Sequence, residues 1–237
     1  MTDTTVAIET SPAPTPKQKV WDAPVRIVHW LLVFCVAFSW WTTEINEMQW
    51  HYWSGLTIMG LLVFRVYWGF AGSETARFSR FVKGPGAIAG YMGKLLKPNY
   101  RATFGHNPLG ALSVIAILLA LAVQVCLGLI AGDTDGINSG PLNPYVNYEL
   151  GADAADLHED LFPYLLIPIG LHIAAILFYL IAKRINLVGP MITGSRKAGD
   201  VEGPPAGIAA VPVWRFLLGV VIAVGTVWLI LWLPTIR

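Results

Sequence analysis

Hydrophobic positions in this chain do not alternate with polar ones; they run in blocks. Five apolar segments stand out, at about residues 25–43, 52–72, 108–132, 161–182 and 211–234. Each is close to the roughly 17–25 residues that a helix needs to cross a hydrocarbon core. The third, Leu109 to Ala131, is interrupted only by Ser113 and Gln124. The first is the weakest, its apolar core running only from Ile27 to Trp41. Trp30, Trp40, Trp41, Trp50, Trp53 and Trp214 fall near segment ends, where indole rings anchor at the interface. The pattern predicts an all-α integral membrane helical bundle of five spans.

The stretches between the blocks are of several kinds. Residues 1–19 are rich in Thr and Pro and contain no apolar run, which reads as a disordered tail without a cleavable signal peptide. Residues 73–107 mix Phe78, Phe81, Val82 and Tyr91 with basic side chains and carry Gly84-Pro85 in the middle. Two short amphipathic pieces lying in the interface fit this composition, and so does an ordinary solvated loop. Asn107 followed by Pro108 has the form of a helix start, with a capping side chain and a proline in the first turn. Residues 195–210 read as a linker to the last span, residues 211–237.

Composition agrees with a bilayer environment. Of 237 residues, 55% are hydrophobic and 13% charged, against about 25% charged in soluble domains. Sixteen Lys/Arg against fifteen Asp/Glu leave a net charge of +1, which argues against a nucleic-acid partner. Cys35 and Cys126 both lie in apolar runs without a CxxC spacing, so they read as small buried hydrophobes. The charges are sorted along the chain. Lys17, Lys19, Arg26, Arg77, Arg80, Lys83, Lys94, Lys97, Arg101, Lys183, Arg184, Arg196 and Lys197 fall on one side of the predicted spans. The loops at about 44–51 and 133–157 contain no Lys or Arg and hold Glu44, Glu47, Asp133, Asp135, Glu149, Asp153 and Asp156. The positive-inside bias predicts a cytoplasmic N-terminus and a periplasmic C-terminus in a bacterial inner membrane.

The candidate chemistry lies in the histidines. His29, His51, His158 and His172 sit in or at the edge of spans, where an ionisable side chain is costly. His158 and His172 are 14 residues apart, about 40° short of four full helical turns, so both imidazoles leave one face about 21 Å apart along the axis. His29 lies at the inner end of the first span and His51 at the outer end of the second. Depth therefore pairs His51 with His158 at an outer level and His29 with His172 at an inner one. Each pair comes from two helices, as bis-imidazole ligation of a haem iron in a bundle requires. Four helix-packing histidines would be the plain alternative. No two of them have the close spacing of a compact zinc or copper cage.

Two further residues join this set as candidates. Arg65 follows His51 by 14 residues on the same face, in the run Leu61-Leu62-Val63-Phe64-Arg65-Val66. It either meets a buried anion such as a haem propionate or snorkels to the inner interface. His106 stands at the inner end of the third span, as a surface histidine or as a neighbour of a propionate or a quinone head group. The acidic outer loops suit a basic partner such as a c-type cytochrome. A substrate or proton transporter without haem is the rival class, because Pro163 and Pro168 interrupt the fourth span.

Several elements together carry a family resemblance. They are Val20-Trp21-Asp22-Ala23-Pro24-Val25-Arg26-Ile27-Val28-His29-Trp30, Trp50-His51, Trp53-Ser54-Gly55 and Trp68-Gly69-Phe70-Ala71-Gly72-Ser73. Arg77-Phe78, Phe81-Val82-Lys83-Gly84-Pro85 and Gly105-His106-Asn107-Pro108-Leu109-Gly110 continue the series. Leu157-His158-Glu159, Leu171-His172 and Lys183-Arg184-Ile185-Asn186-Leu187-Val188 complete it. Over about residues 20–194 the chain resembles the bacterial cytochrome b561 / nickel-iron hydrogenase b-type cytochrome family. The resemblance implies a four-helix core holding two haems b on His29, His51, His158 and His172, within a domain spanning 20–194. It also implies electron transfer between the quinone pool and a periplasmic redox protein or oxidoreductase subunit. The fifth span lies outside that core. The short connection between the first two spans leaves little outer surface for a large hydrogenase subunit.

Overall fold

The computed structural model describes residues 17–95, 97, 100–132, 138–197 and 208–236. Its elements in chain order are β1 (Lys17–Lys19), α1 (Ala23–Glu44), α2 (Met48–Ala71), α3 (Phe78–Phe81) and α4 (Pro85–Leu95). There follow α5 (Pro108–Ile130), α6 (Tyr148–Ile181), α7 (Val188–Thr193), β2 (Ser195–Lys197) and α8 (Val213–Trp232). Five of these helices, α1, α2, α5, α6 and α8, are long and apolar enough to cross a membrane. The chain is an all-α membrane bundle.

Capping explains where the helices start. Asp22 accepts a hydrogen bond from the Val25 amide at 2.8 Å, Asn107 from Gly110 at 2.7 Å and Asn147 from Leu150 at 2.9 Å. The last cap extends α6 beyond its apolar core. Residues 148–160, expected mostly as loop, are helical and carry Glu149, Asp153, Asp156, Glu159 and Asp160. At 34 residues, α6 is about 51 Å long and must project from a hydrocarbon core of about 30 Å. Apolar periodicity marks only the part inside lipid; the cap and the Ala and Leu residues carry the helix onward. Pro163 and Pro168 lie inside this helix without breaking it, as membrane helices tolerate when neighbours satisfy the freed backbone groups.

The segment 73–107 forms two short helices, α3 and α4, separated at Gly84-Pro85. A phenol cluster ties it to the bundle: Tyr91 Oη lies 2.6 Å from Tyr100 Oη and 2.5 Å from Tyr179 Oη, and Asn107 Nδ2 donates to Tyr179 Oη at 3.2 Å. The tail and linker expectations need correction at their edges. Lys17–Lys19 pairs antiparallel with Ser195–Lys197, and the Val20 and Trp21 amides donate to Gly194 O at 2.8 and 3.1 Å. Gly194 has φ +83°, and a Cβ there would stand 3.0 Å from Trp21 O. Three-residue strands have no periodic signature, and their pairing joins positions far apart in sequence. Residues 1–16 and 198–207, with Asp133 and Asp135, lie outside the described residues.

α1 packs on α2, α5 on α6, α2 on α5, and α8 on the far side of α2. α6, which carries two histidines, makes no comparable backbone approach to α1 or α2. Val25, Val28, Phe64 and Trp68 form the inner core, whereas Cys35, Ile58, Leu62, Leu121 and Leu165 form the middle. Cys35 is buried as expected, but Cys126 lies on the outward face of α5. α8 approaches α2 closely at Gly219, where a Cβ would stand 2.7 Å from the Tyr67 ring, and Tyr67 Oη donates to Arg215 O at 3.0 Å. Small residues at such crossings are the usual route to tight helix packing in lipid.

Asp22 joins the cap to the core, because its second oxygen accepts from Trp68 Nε1 at 2.9 Å. Asp22→Ala removes the cap and leaves a buried indole N–H unpaired, which predicts a loss of about 1–3 kcal/mol. Thermal unfolding in detergent should show a lower midpoint; an unchanged midpoint would refute this role.

Candidate functional site

The four span histidines form two pairs of rings. His29 on α1 and His172 on α6 have ring centroids 6.5 Å apart with an interplanar angle of 54°. His51 on α2 and His158 on α6 are 5.9 Å apart at 90°. Rings at these distances would leave room for one metal between them at an ordinary metal–imidazole bond length of about 2 Å. The pairs bridge the separation between α6 and the α1–α2 hairpin. Among the described residues, no group of three or more His, Cys, Asp or Glu comes together as a compact metal cage.

Hydrogen bonds settle which ring nitrogen is available. His51 Nδ1 lies 3.0 Å from Ser39 O and 3.1 Å from Ser39 Oγ, and His158 Nδ1 lies 2.8 Å from Gln124 O. A backbone carbonyl can only accept, so Nδ1 carries the proton in both rings and the Nε2 lone pair is free. His172 Nδ1 meets Ser113 Oγ at 3.2 Å, and His29 Nδ1 is buried without a partner. Three of the four imidazoles are thus held at Nδ1 with Nε2 left open, the donor arrangement that takes haem iron.

A family model described as prokaryotic cytochrome b561 matches residues 20–194. The chain belongs to that family. Comparison with curated proteins and with solved structures finds no match. As a cytochrome b561 family member, the chain is a multi-pass membrane b-type cytochrome, an electron-transfer protein that binds b-type haem. α8 lies beyond the matched residues.

Two residues at the end of the bundle where α1 starts occupy buried positions. Arg65 is only 6% exposed and does not snorkel. Its Nη1 donates to Ala76 O at 3.4 Å, its guanidinium lies 5.1 Å from the centre of the Phe78 ring, and the Asp22 carboxylate acts on it. His106 is not a plain surface residue. Its ring packs 4.6 Å from Trp21 and 4.4 Å from Phe81 between centroids. The residue keeps some accessible surface, yet its Nδ1 is shut off from solvent and has no partner.

The positions that sequence reading passed over are the ones that hold the rings. Ser39, Ser113 and Gln124 hydrogen-bond to the histidines through hydroxyl or carbonyl oxygens. Gly128 leaves room for His158, because a Cβ there would stand 2.9 Å from ring Cε1. One signal for two of them is visible: Ser113 and Gln124 are the polar breaks in the third span. Their 11-residue spacing is about 20° beyond three turns, so they share a helix face.

Burial, helped by the positive charge of Arg65 and by His172 and His29, holds His106 down at about 3 from an ordinary 6.5, against an opposing hydrogen bond to the Thr75 backbone. The unfolded chain therefore binds a proton that the folded chain refuses, and His106 lowers stability as pH falls below about 6.5. His106→Gln should give a shallower loss of thermal midpoint between about pH 7 and 5 than the parent protein shows. An identical slope would contradict this assignment.

Proposed function

We propose that this cytochrome holds two haems b, an outer one on His51 and His158 and an inner one on His29 and His172. On this reading it carries electrons across the inner membrane between a periplasmic redox partner and the quinone pool. The observation that carries the proposal is the sorting of four span histidines into two cross-helix ring pairs. The haem irons would supply one-electron redox chemistry, and the helices fix spacing, ligand orientation and surrounding charge.

Buried polar atoms around the inner end support the same reading. Arg26 Nε, Arg77 Nε, Ser73 Oγ, His29 Nδ1 and His106 Nδ1 are all buried and unpartnered. Unsatisfied buried groups are costly, and a cationic set with Arg65 suits anionic groups such as propionates. Arg65 and His106 are accordingly proposed as neighbours of the inner haem, with His106 or the inner basic segment also bordering a quinone.

Residues 20–194 would form the dihaem domain, with residues 211–237 as an added span and the N-terminus in the cytoplasm. The outer acidic residues, including Glu44, Glu47, Glu149, Asp153 and Asp156, suit a basic one-electron carrier such as a c-type cytochrome, or an oxidoreductase subunit. The transporter reading loses its support, because α6 runs unbroken through Pro163 and Pro168.

The test is a dithionite-reduced minus oxidised spectrum of the purified protein with pyridine-haem quantitation. Two haems b per chain are expected. His51→Ala or His158→Ala should remove one, and His29→Ala or His172→Ala the other. A single haem, or joint loss of one haem in His29→Ala and His158→Ala, would overturn the pairing.

A further inference from the structure

The two ring pairs are held by acceptors of unequal strength. At the outer level both imidazoles donate to backbone carbonyls, His51 to Ser39 O at 3.0 Å and His158 to Gln124 O at 2.8 Å. At the inner level His172 meets a hydroxyl, Ser113 Oγ, at 3.2 Å, and His29 Nδ1 has no hydrogen-bond partner among the described residues. A carbonyl that draws on the Nδ1 proton makes the ring more electron-rich at Nε2, which favours ferric over ferrous iron. A hydroxyl does this less, and an unpartnered nitrogen not at all.

Charge acts in the same direction. Reduction lowers the charge of a haem site by one, so nearby cations favour the reduced state and nearby anions the oxidised state. Arg65 is buried at the inner end beside the Asp22 carboxylate, and half-buried Arg26 and Arg77 each have a buried Nε, so cations remain in excess there. The outer helix ends carry Glu44, Glu47, Glu149, Asp153, Asp156, Glu159 and Asp160. Hydrogen bonding and charge are independent features, and both place the outer site at the lower potential.

The outer hydrogen bond is also made unusually secure by α5, a helix with no haem histidine of its own. His158 Nδ1 donates to Gln124 O, and Gln124 Nε2 donates back to His158 O at 2.5 Å. Each side chain thus grips the other residue's backbone, and Gly128 lets the imidazole lie against α5 one turn further on.

We infer that α5 grades the two haem sites: Gln124 positions His158, Ser113 positions His172, and the outer site has the lower reduction potential. The inference rests on the dihaem reading. An electron delivered outside by a one-electron carrier then moves spontaneously inward. Bound haems would supply the one-electron steps, and two such electrons with two protons from the inner aqueous side would convert a quinone to its quinol at the inner end.

Optical redox titration of the purified holoprotein tests this, with each wave assigned by the variant that abolishes it. The wave lost in His158→Ala should be the lower of two. Ser113→Ala should move the upper wave to higher potential and leave the lower one in place. Gln124→Leu should raise the lower wave and alter the low-spin ferric electron-paramagnetic signal of that haem alone, with Gln124→Asn closer to the parent. Loss of the upper wave in His158→Ala would overturn the grading while leaving the dihaem reading intact. Equal movement of both waves in Ser113→Ala, or an unmoved lower wave in Gln124→Leu, would overturn the positioning roles. A holoprotein with only one haem wave would overturn the dihaem reading and the grading with it.

Discussion

A proton on the far nitrogen of an imidazole organises this molecule. Because Ser39 O and Gln124 O can only accept, His51 and His158 must present unprotonated Nε2 atoms away from those carbonyls. Neutral histidine is also the form that a bilayer interior tolerates. The separation of α6 from the α1–α2 hairpin follows as a structural counterpart, since the ring pairs occupy the distance that closer backbone packing would remove. Close packing is placed elsewhere: α1 on α2, α5 on α6, and α8 against the outer flank of α2.

The two ends of the bundle are built from different materials. At the inner end Asp22, Trp68, Arg65 and His106 are interlocked, with the β1–β2 pair and the Tyr91 cluster closing the connections around them. Burial of the Arg65 guanidinium is expensive unless an anion shares the region, and the buried Asp22 carboxylate does so. The outer end is simpler, a projecting acidic helix and short turns, and its carboxylates are exposed. A polar, cation-rich interior at one end and an acidic exterior at the other make the two ends of the bundle chemically distinct.

Much of the fold is legible in the sequence because the bilayer imposes a coarse rule, an apolar run of fixed length, that single residues hardly disturb. Helix ends follow less well. The acidic start of α6 is helical through Asn147 capping rather than through any apolar stripe, and the β1–β2 pair joins residues separated by the whole bundle. Within the site, depth arithmetic on His158 and His172 predicts which rings meet, since a 14-residue spacing maps directly onto helix geometry. Arg65 announces itself as a charge in an apolar run. Ser39 and Gly128 do not, because a carbonyl acceptor belongs to the backbone and the absence of a side chain leaves no pattern.

The dihaem reading requires an iron between the rings of each pair. Anomalous scattering recorded from crystals of the holoprotein on either side of the iron absorption edge tests it most directly. Two peaks are expected, one between His29 and His172 and the other between His51 and His158. A single peak, or peaks away from these imidazoles, would contradict the account.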